Sequence, residues 1–468
     1  MEYLMPFSLR RTLRVTGAIG LSAVTIATIA VGGALVTTSQ AAATTPVDPG
    51  LVWPTPSAYN SAGPIVVAIA LGATPTVASD FLAPYEVFAS SPQFSVYAVA
   101  ASASPAQLEG GPAVLPVHTF DQVESGEAPR PDVVVVPAVQ EPTGTKESAL
   151  RTFITDQSDR GARILGICSG ALVLAETGIL DGLHATSHWS RISALEESRP
   201  QVDWVRGKRY VQDGSVTTTA GVTSGIPGAL KVMADLAGPA EAERVGQALN
   251  YPGWSLEGPA DIPTQHFTVA DAPVALNAIL PWLRPTLGVG LSDGDSEIDI
   301  AGLFEVYNVS FAARAVAVSA GDTITTRHGL VLSTRALGTG PTIDRLIIPG
   351  TTPADEVDPA MIDWAAEHTV PIDTINRSAG ENGFDAALRY IAHDTDQATA
   401  ESAAKMIDYP TKHLALSPEG TSWRAPLLLL TSVLLAIAVG FLPAAIRLAI
   451  RRRRIGTSRL AESVESSS

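Results

Sequence analysis

The sequence predicts an α/β protein built as two related units, each a mostly parallel sheet covered on both faces, flanked by two membrane-spanning helices. Three observations carry this. Short continuous apolar runs alternate with segments of helical spacing, the pattern of strands buried on both faces. A block of residues recurs in the second half of the chain. Val15 to Val36 and Ala425 to Ile446 are each 22 residues without a charge, long enough to cross a bilayer as helices.

The N-terminal 14 residues hold Arg10, Arg11 and Arg14, and the apolar stretch 15–36 follows. Basic start, apolar core and Thr38-Ser39-Gln40-Ala41-Ala42-Ala43 also fit a cleavable secretory signal. Its length exceeds a typical signal core, which favours an uncleaved anchor. Residues 37–63 form a linker rich in Pro, Ser, Thr and Ala. The second stretch, 425–446, is followed by Arg447 and Arg451 to Arg454 in a tail, 447–468. Basic flanks at both outer ends put both termini in the cytoplasm and everything between them outside. If the first stretch is cleaved, the second still anchors the chain. Nine of the 31 Lys and Arg and three of the 47 acids lie in the two ends, leaving 22 bases against 44 acids between the spans. Such a surface repels nucleic acid.

Within 64–256, Ile65 to Leu71, Phe94 to Ala100 and Asp132 to Val136 are predicted strands; Asp80 to Ser90 and Glu147 to Asp159 are helices. Ala162 to Ile167 is a buried strand and Ala171 to Glu176 a helix. The only cysteine, Cys168, lies between them in Gly166-Ile167-Cys168-Ser169-Gly170. Strand, Gly-x-Cys-x-Gly turn and helix is the layout of a nucleophile elbow, where a helix N-terminus favours thiolate over thiol. A buried, inert cysteine between glycines is the alternative. Val211 to Ala220 is a hairpin around Asp213-Gly214, and Ile226 to Leu236 and Ala240 to Leu249 are helices. Residues 257–285 form a connector with one helix, Ala272 to Leu283.

Residues 286–418 repeat the first unit in degenerate form. Ala220-Gly221 through Asn250-Tyr251-Pro252 matches Ala379-Gly380 through Asp408-Tyr409-Pro410, and Asp80 to Val87 matches Asp299 to Val306. The strand ending Val136-Pro137 corresponds to the one ending Ile348-Pro349. From Pro137 to Gly221 is 84 positions, but from Pro349 to Gly380 only 31. The second unit is therefore expected to lack the elbow segment and to be a structural or regulatory partner.

The motif Gly166-Ile167-Cys168-Ser169-Gly170 is followed by Leu180-Asp181-Gly182-Leu183-His184-Ala185-Thr186-Ser187-His188-Trp189, Val211 to Gly214 and Thr218 to Gly225. Together with Asp80, Pro84 and Glu86-Val87, these resemble the ThiJ/PfpI superfamily, of class I glutamine amidotransferase-like fold. The similarity is closest to the branch of isonitrile hydratases and of N-terminal domains of AraC-type regulators. The resemblance implies tandem flavodoxin-like three-layer sandwiches with the thiol at the carboxyl edge of the sheet. It implies Cys168 as nucleophile, Asp80 as the carboxyl that holds the thiolate or passes a proton, and the N–H groups of Ser169 and Gly170 as an oxyanion site. In isonitrile hydratases such a pair adds water to an isonitrile carbon, giving an N-substituted formamide. Asp80 as a plain helix cap is the bland alternative. His188 is an accessory candidate, or a packing unit with Trp189. His184 and His188 at i, i+4 lack the companions of a zinc site, and neither metal nor cofactor is expected.

Two departures matter. Ala138 and Val139 stand where many members carry Gly-Gly, and Ser169 stands where the protease-like branch has histidine. Where the regulators carry a basic helix-turn-helix domain, the second repeat and an apolar span follow here. The expected function is a membrane-anchored, extracytoplasmic, cysteine-dependent lyase or hydrolase of a small molecule, isonitrile hydratase-like. The alternative is a non-catalytic ligand-binding or sensing module, which would need a signalling partner. Expected partners are a small-molecule ligand or substrate, the membrane and a second copy in a homo-oligomer, with no nucleic acid.

Overall fold

A computed structural model describes residues 7–41, 53–350, 357–375, 377, 380–416 and 422–465. The chain divides into two compact units. One contains both long helices and residues 275–283; the other contains the α/β elements.

The α/β unit holds two sheets. In the first lobe the strands are β1 (Ile65–Ala70), β2 (Phe94–Ala100), β3 (His118–Thr119), β4 (Val133–Val136), β5 (Arg163–Gly166), β6 (Tyr210–Asp213) and β7 (Val216–Thr219). Their order across the sheet is β6-β7-β5-β4-β1-β2-β3, parallel except for the β6–β7 hairpin. In the second lobe they are β8 (Thr286–Gly290), β9 (Arg314–Ser319), β10 (Arg335–Ala336), β11 (Arg345–Ile348) and β12 (Ile372–Thr374). Their order is β10-β9-β8-β11-β12, parallel throughout. Five adjacent strands of the first sheet, β5-β4-β1-β2-β3, thus run in the same order as β12-β11-β8-β9-β10 of the second. β-Branched runs such as Val133–Val136, buried at every position, suit strands covered on both faces.

The first-lobe helices are α1 (Ala78–Ala89), α2 (Ser148–Asp159), α3 (Gly170–Thr177), α4 (Gly225–Ala237) and α5 (Pro239–Leu249). In the second lobe they are α6 (Glu297–Ser310), α7 (Pro359–His368), α8 (Gly383–Asp394) and α9 (Gln397–Met406). Every residue of α1 is buried, as are 12 of the 14 in α6. The two pack on each other between the sheets, and one apolar cluster runs through both lobes there. Separate smaller clusters cover the outer faces of the sheets. Gly302 lets α6 approach α8, because a Cβ there would lie 3.0 Å from the Gly383 carbonyl oxygen.

The contacts between lobes are reciprocal. Thr223 Oγ1 donates to the Ile407 carbonyl at 2.9 Å, and Asn382 Nδ2, at the matching position, donates to the Leu249 carbonyl at 2.8 Å. Tyr251 and Tyr409 meet edge to face. Glu86, in α1, accepts hydrogen bonds from Ser296 Oγ and the Ile298 N–H at the start of α6, both at 2.7 Å. Glu305, in α6, accepts one from Ser79 Oγ at the start of α1. The lobes also share a small sheet in which Leu332 pairs antiparallel with Val114. Its strands are two or three residues long, too short to leave a periodic signal.

Two expectations need correction. The second lobe keeps the elbow strand: β12 pairs with β11, Thr374 opposite Ile348, as Gly166 in β5 lies opposite Val136 in β4. Among the described residues of the shortened segment there is no counterpart of α3 and none of the hairpin β6–β7. Asn376, at the position matching Cys168, lies outside the described residues. The connector helix spans Ala272–Ile279 instead of reaching Leu283. Pro281 disfavours helical backbone at Leu280 and stops it there.

The other compact unit contains the helices Phe7–Ala41 and Arg424–Glu465. Val15–Gln40 and Arg424–Ile450 are long and apolar enough to cross a membrane. Ser22 Oγ donates to the Ala436 carbonyl at 2.9 Å, joining the two helices.

Asn382 both caps α8, accepting from the Phe384 N–H at 3.1 Å, and bridges to Leu249. Asn382→Ala removes both bonds and strands a buried carbonyl. It is expected to cost about 2–4 kcal/mol, read as a lower urea midpoint with an unchanged m-value.

Candidate active site

Strand β5 ends at Gly166, and the chain turns through Ile167, Cys168 and Ser169 into α3. Cys168 has φ +55°, a left-handed conformation that a residue with a Cβ adopts only when its surroundings enforce it. Four bonds enforce it here. The Cys168 N–H donates to Thr219 Oγ1 at 3.3 Å, and its carbonyl accepts from Ser187 Oγ at 2.9 Å. The Ile167 N–H donates to the Val136 carbonyl, and the Gly170 N–H to the Ile167 carbonyl at 2.7 Å. A Cβ on Gly170 would stand 2.1 Å from the Val136 carbonyl oxygen. That position tolerates glycine alone.

The sulfur is approached by the backbone N–H groups of Ser169 and Val222, each favouring negative charge on it. Gly170 does not serve, because its N–H is spent on the turn. Val222 takes that place. It follows β7, the strand beside β5, so it reaches the elbow by sheet topology and not by sequence proximity. The thiolate expected from the helix N-terminus is not the resting state. Cys168 is only 6% exposed, and burial, followed by the nearby Asp80, pushes its thiol well above the usual range. Desolvation of an anion outweighs two backbone dipoles here.

Asp80 sits in the first turn of α1, but its side chain does not cap that helix. Its Oδ2 accepts from the Ala138 N–H at 3.1 Å, and its Oδ1 is buried with no hydrogen-bond partner. The N–H of Ala138, one of the residues in the Gly-Gly place, thus holds the acid. Burial, then the neighbouring Glu305, raises Asp80 well above the ordinary carboxyl value. Burial likewise lifts Glu109, and lifts Glu305 to about 7. Asp80 and Glu305 thus bear on the thiol and Glu109 bears on both of them, and Asp80 rests as a neutral acid. Glu109 left no sequence signal; Glu305 was legible only as the repeat partner of Glu86.

His188 is brought near the elbow but is fully engaged elsewhere. Its Nε2–H donates to the Met406 carbonyl at 2.7 Å, and its Nδ1 pairs with Ser190 Oγ at 2.7 Å. Burial pushes it down to about 4, so the ring is neutral and docks the second lobe. Beside it, Trp189 Nε1 donates to the Lys405 carbonyl, and the Gly221 N–H donates to Asp408 Oδ2 at 2.7 Å. His184 lies apart, paired with Asp213 at 3.1 Å. One group of cation-binding side chains occurs among the described residues: Glu86, Glu297 and His328, all buried. His328 Nδ1 and Glu297 Oε2 already form an ion pair at 2.7 Å. That pair holds the Glu297 carboxyl down and the imidazole up.

The DJ-1/PfpI family profile matches residues 66–235. The isonitrile hydratase of Pseudomonas putida is 33% identical over 175 residues, 37% of this chain and 72% of that protein. The chain belongs to the DJ-1/PfpI family. Another relative, the protein dj-1beta of Drosophila melanogaster, is 30% identical over 154 residues, 31% of this chain and 79% of that protein. The transcriptional regulator CdhR of Pseudomonas aeruginosa is 37% identical over 116 residues, 25% of this chain and 34% of that one. The elbow, the acid on α1 and the parallel sheet all fall inside the DJ-1/PfpI match.

Two outcomes follow from these charges. Alkylation of native Cys168 at pH 7 is expected to be far slower than that of the urea-unfolded protein. Asp80→Asn removes the carboxyl whose charge, once it ionises, opposes the thiolate, and should lower the pH at which the native thiol reacts. The second outcome concerns stability. Glu305 has a folded value of about 7 against 4.5, so its contribution is complete below about 4.5 and is lost as pH rises through 7. That contribution is on the order of 3 kcal/mol. Melting temperature should fall between pH 5 and pH 8, and fall less in Glu305→Gln.

Proposed function

We propose that this chain is a membrane-anchored, extracytoplasmic cysteine-dependent enzyme that adds water to a small uncharged molecule, of the isonitrile hydratase kind. One observation carries this: the single cysteine is held at positive φ at the sheet's carboxyl edge, beside a neutral acid with an unpaired buried oxygen. A strained nucleophile turn has a structural cost of order 1–3 kcal/mol, and inert packing needs no such turn.

The residues then have these roles. The Cys168 sulfur bonds to the terminal isonitrile carbon. Asp80 gives its proton to that carbon and takes the thiol proton, leaving a thioformimidate. Water adds to the same carbon, its proton passing to nitrogen through the Asp80 carboxyl. The C–S bond breaks, releasing the N-substituted formamide and the thiol. The N–H groups of Ser169 and Val222 stabilise the sulfur while it is anionic. The buried surroundings of the sulfur disfavour anionic substrates, which would lose hydration on entry. No group besides protein and water is needed.

The tandem reading of the two lobes is supported by the shared strand order and the reciprocal contacts, which have the i-to-j, j-to-i character of an isologous interface. The membrane placement is supported by the two apolar stretches, the basic flanks outside them and the acidic surplus between them.

A second reading, a ligand-binding or sensing module, is favoured by the closed state of the site. The second lobe latches His188, Trp189 and Gly221 over the elbow, and the adjoining cleft between Thr186, Trp189, Lys208 and Asp408 has room for about 10 Å³. The purified full chain is to be incubated with alkyl isonitriles and formamide measured. Turnover that drops at least 100-fold in Cys168→Ser and in Asp80→Asn supports the enzyme. Binding without turnover, unchanged in Cys168→Ser, supports the module.

A further inference from the structure

Glu86 and Glu305 occupy matching positions on α1 and α6, and each reaches the first turn of the other helix. Their surroundings differ. Glu86 sits with the Glu297–His328 ion pair and with Arg327, 3.9 Å from its carboxyl. Glu305 forms no ion pair among the described residues. Its hydrogen-bond donor is Ser79, the residue before Asp80, and both side chains are buried. The titratable groups acting around it are Asp80 from α1, Glu109 from the loop 108–112, and the Cys168 thiol. In that loop Gly110 packs on the Asn308 amide, again from α6. Among the described residues, the cation acting on this cluster is Arg191, which bears on Glu109.

We propose that Glu305, supplied by the second lobe, is a positioning residue of the Cys168 site that keeps the proton on Asp80. The mechanism is electrostatic. Carboxyls crowded in one low-dielectric site cannot all ionise, and their protons come off in coupled steps. As pH rises through about 7 Glu305 becomes an anion, and its charge makes ionisation of Asp80 harder, so Asp80 stays a proton donor where an isolated aspartate is an anion. This rests on Cys168 and Asp80 acting as a pair, and it gives the second lobe a part in the chemistry of the first.

The test compares the full chain with Glu305→Gln, Glu305→Asp and Glu86→Gln. The first readout is the infrared carbonyl band of protonated Asp80, assigned by its loss in Asp80→Asn and followed against pH. The second is the pH midpoint of Cys168 alkylation. Glu305→Gln should move Asp80 ionisation down by about one pH unit, a tenfold change in its protonated fraction on the rising limb. It should move the thiol midpoint in the same direction, and Glu305→Asp should restore both. Glu86→Gln removes a comparable bond at the matching position and should leave both readouts in place. An Asp80 band that titrates identically in Glu305→Gln and the parent chain overturns the proposal, as does an equal shift in Glu86→Gln. Neither readout uses isonitrile turnover, so absence of turnover counts against the proposed reaction alone.

Discussion

The crossing of α1 and α6 is the contact on which the rest of the α/β unit depends. Each helix is buried nearly all round, which isolated amphipathic helices are not, because each is packed by its own sheet and by the other lobe. Such a location makes any ionisable side chain expensive unless it finds a partner. The acids placed there are handled in two ways. On Glu297 charge is kept and paired with His328, while burial and that charge lift the neighbouring Glu86 to about 7. Around Asp80, Glu109 and Glu305, charge is suppressed and the proton stays on oxygen. The same crossing therefore produces an ion-paired side and a proton-loaded side, and the thiol lies on the latter.

This arrangement also explains why the elbow behaves differently from its isolated geometry. A cysteine before a helix N-terminus is ordinarily activated by the dipole. Here Asp80 and the second lobe cover the sulfur, and loss of hydration outweighs the dipole. The site rests with both of its protons in place. A nucleophile in that state acts only together with transfer of its proton, which ties the thiol's reactivity to Asp80.

Most of the fold was legible in the sequence. The strands Phe94–Ala100 and Val133–Val136, the hairpin at Asp213-Gly214 and the helices α4 and α5 follow from patterns within single segments. The elbow was legible because its glycines meet steric demands local to the turn. Other features were hidden because they depend on pairing across distance. Val222 reaches the sulfur because β7 lies beside β5. Ala138 holds Asp80 because β4 ends opposite α1. The elbow strand of the second lobe escaped notice because Ile372–Thr374 is three residues long, and a deletion elsewhere in its segment looked like loss of the whole. His188 kept its place near the site but not its accessory role, since the Met406 carbonyl, 218 positions away, claims its ring.

The reciprocal contacts have one more consequence. When two identical subunits meet about a two-fold axis, every substitution is made twice, so both halves of the seam must tolerate it. A single chain that carries both halves is released from that condition. Asp299 can be matched with Arg377 on one side while Asp80, its counterpart, stays unpaired beside a thiol on the other. Joining the halves in one polypeptide lets the interface become directional: one side is specialised to hold, the other to react.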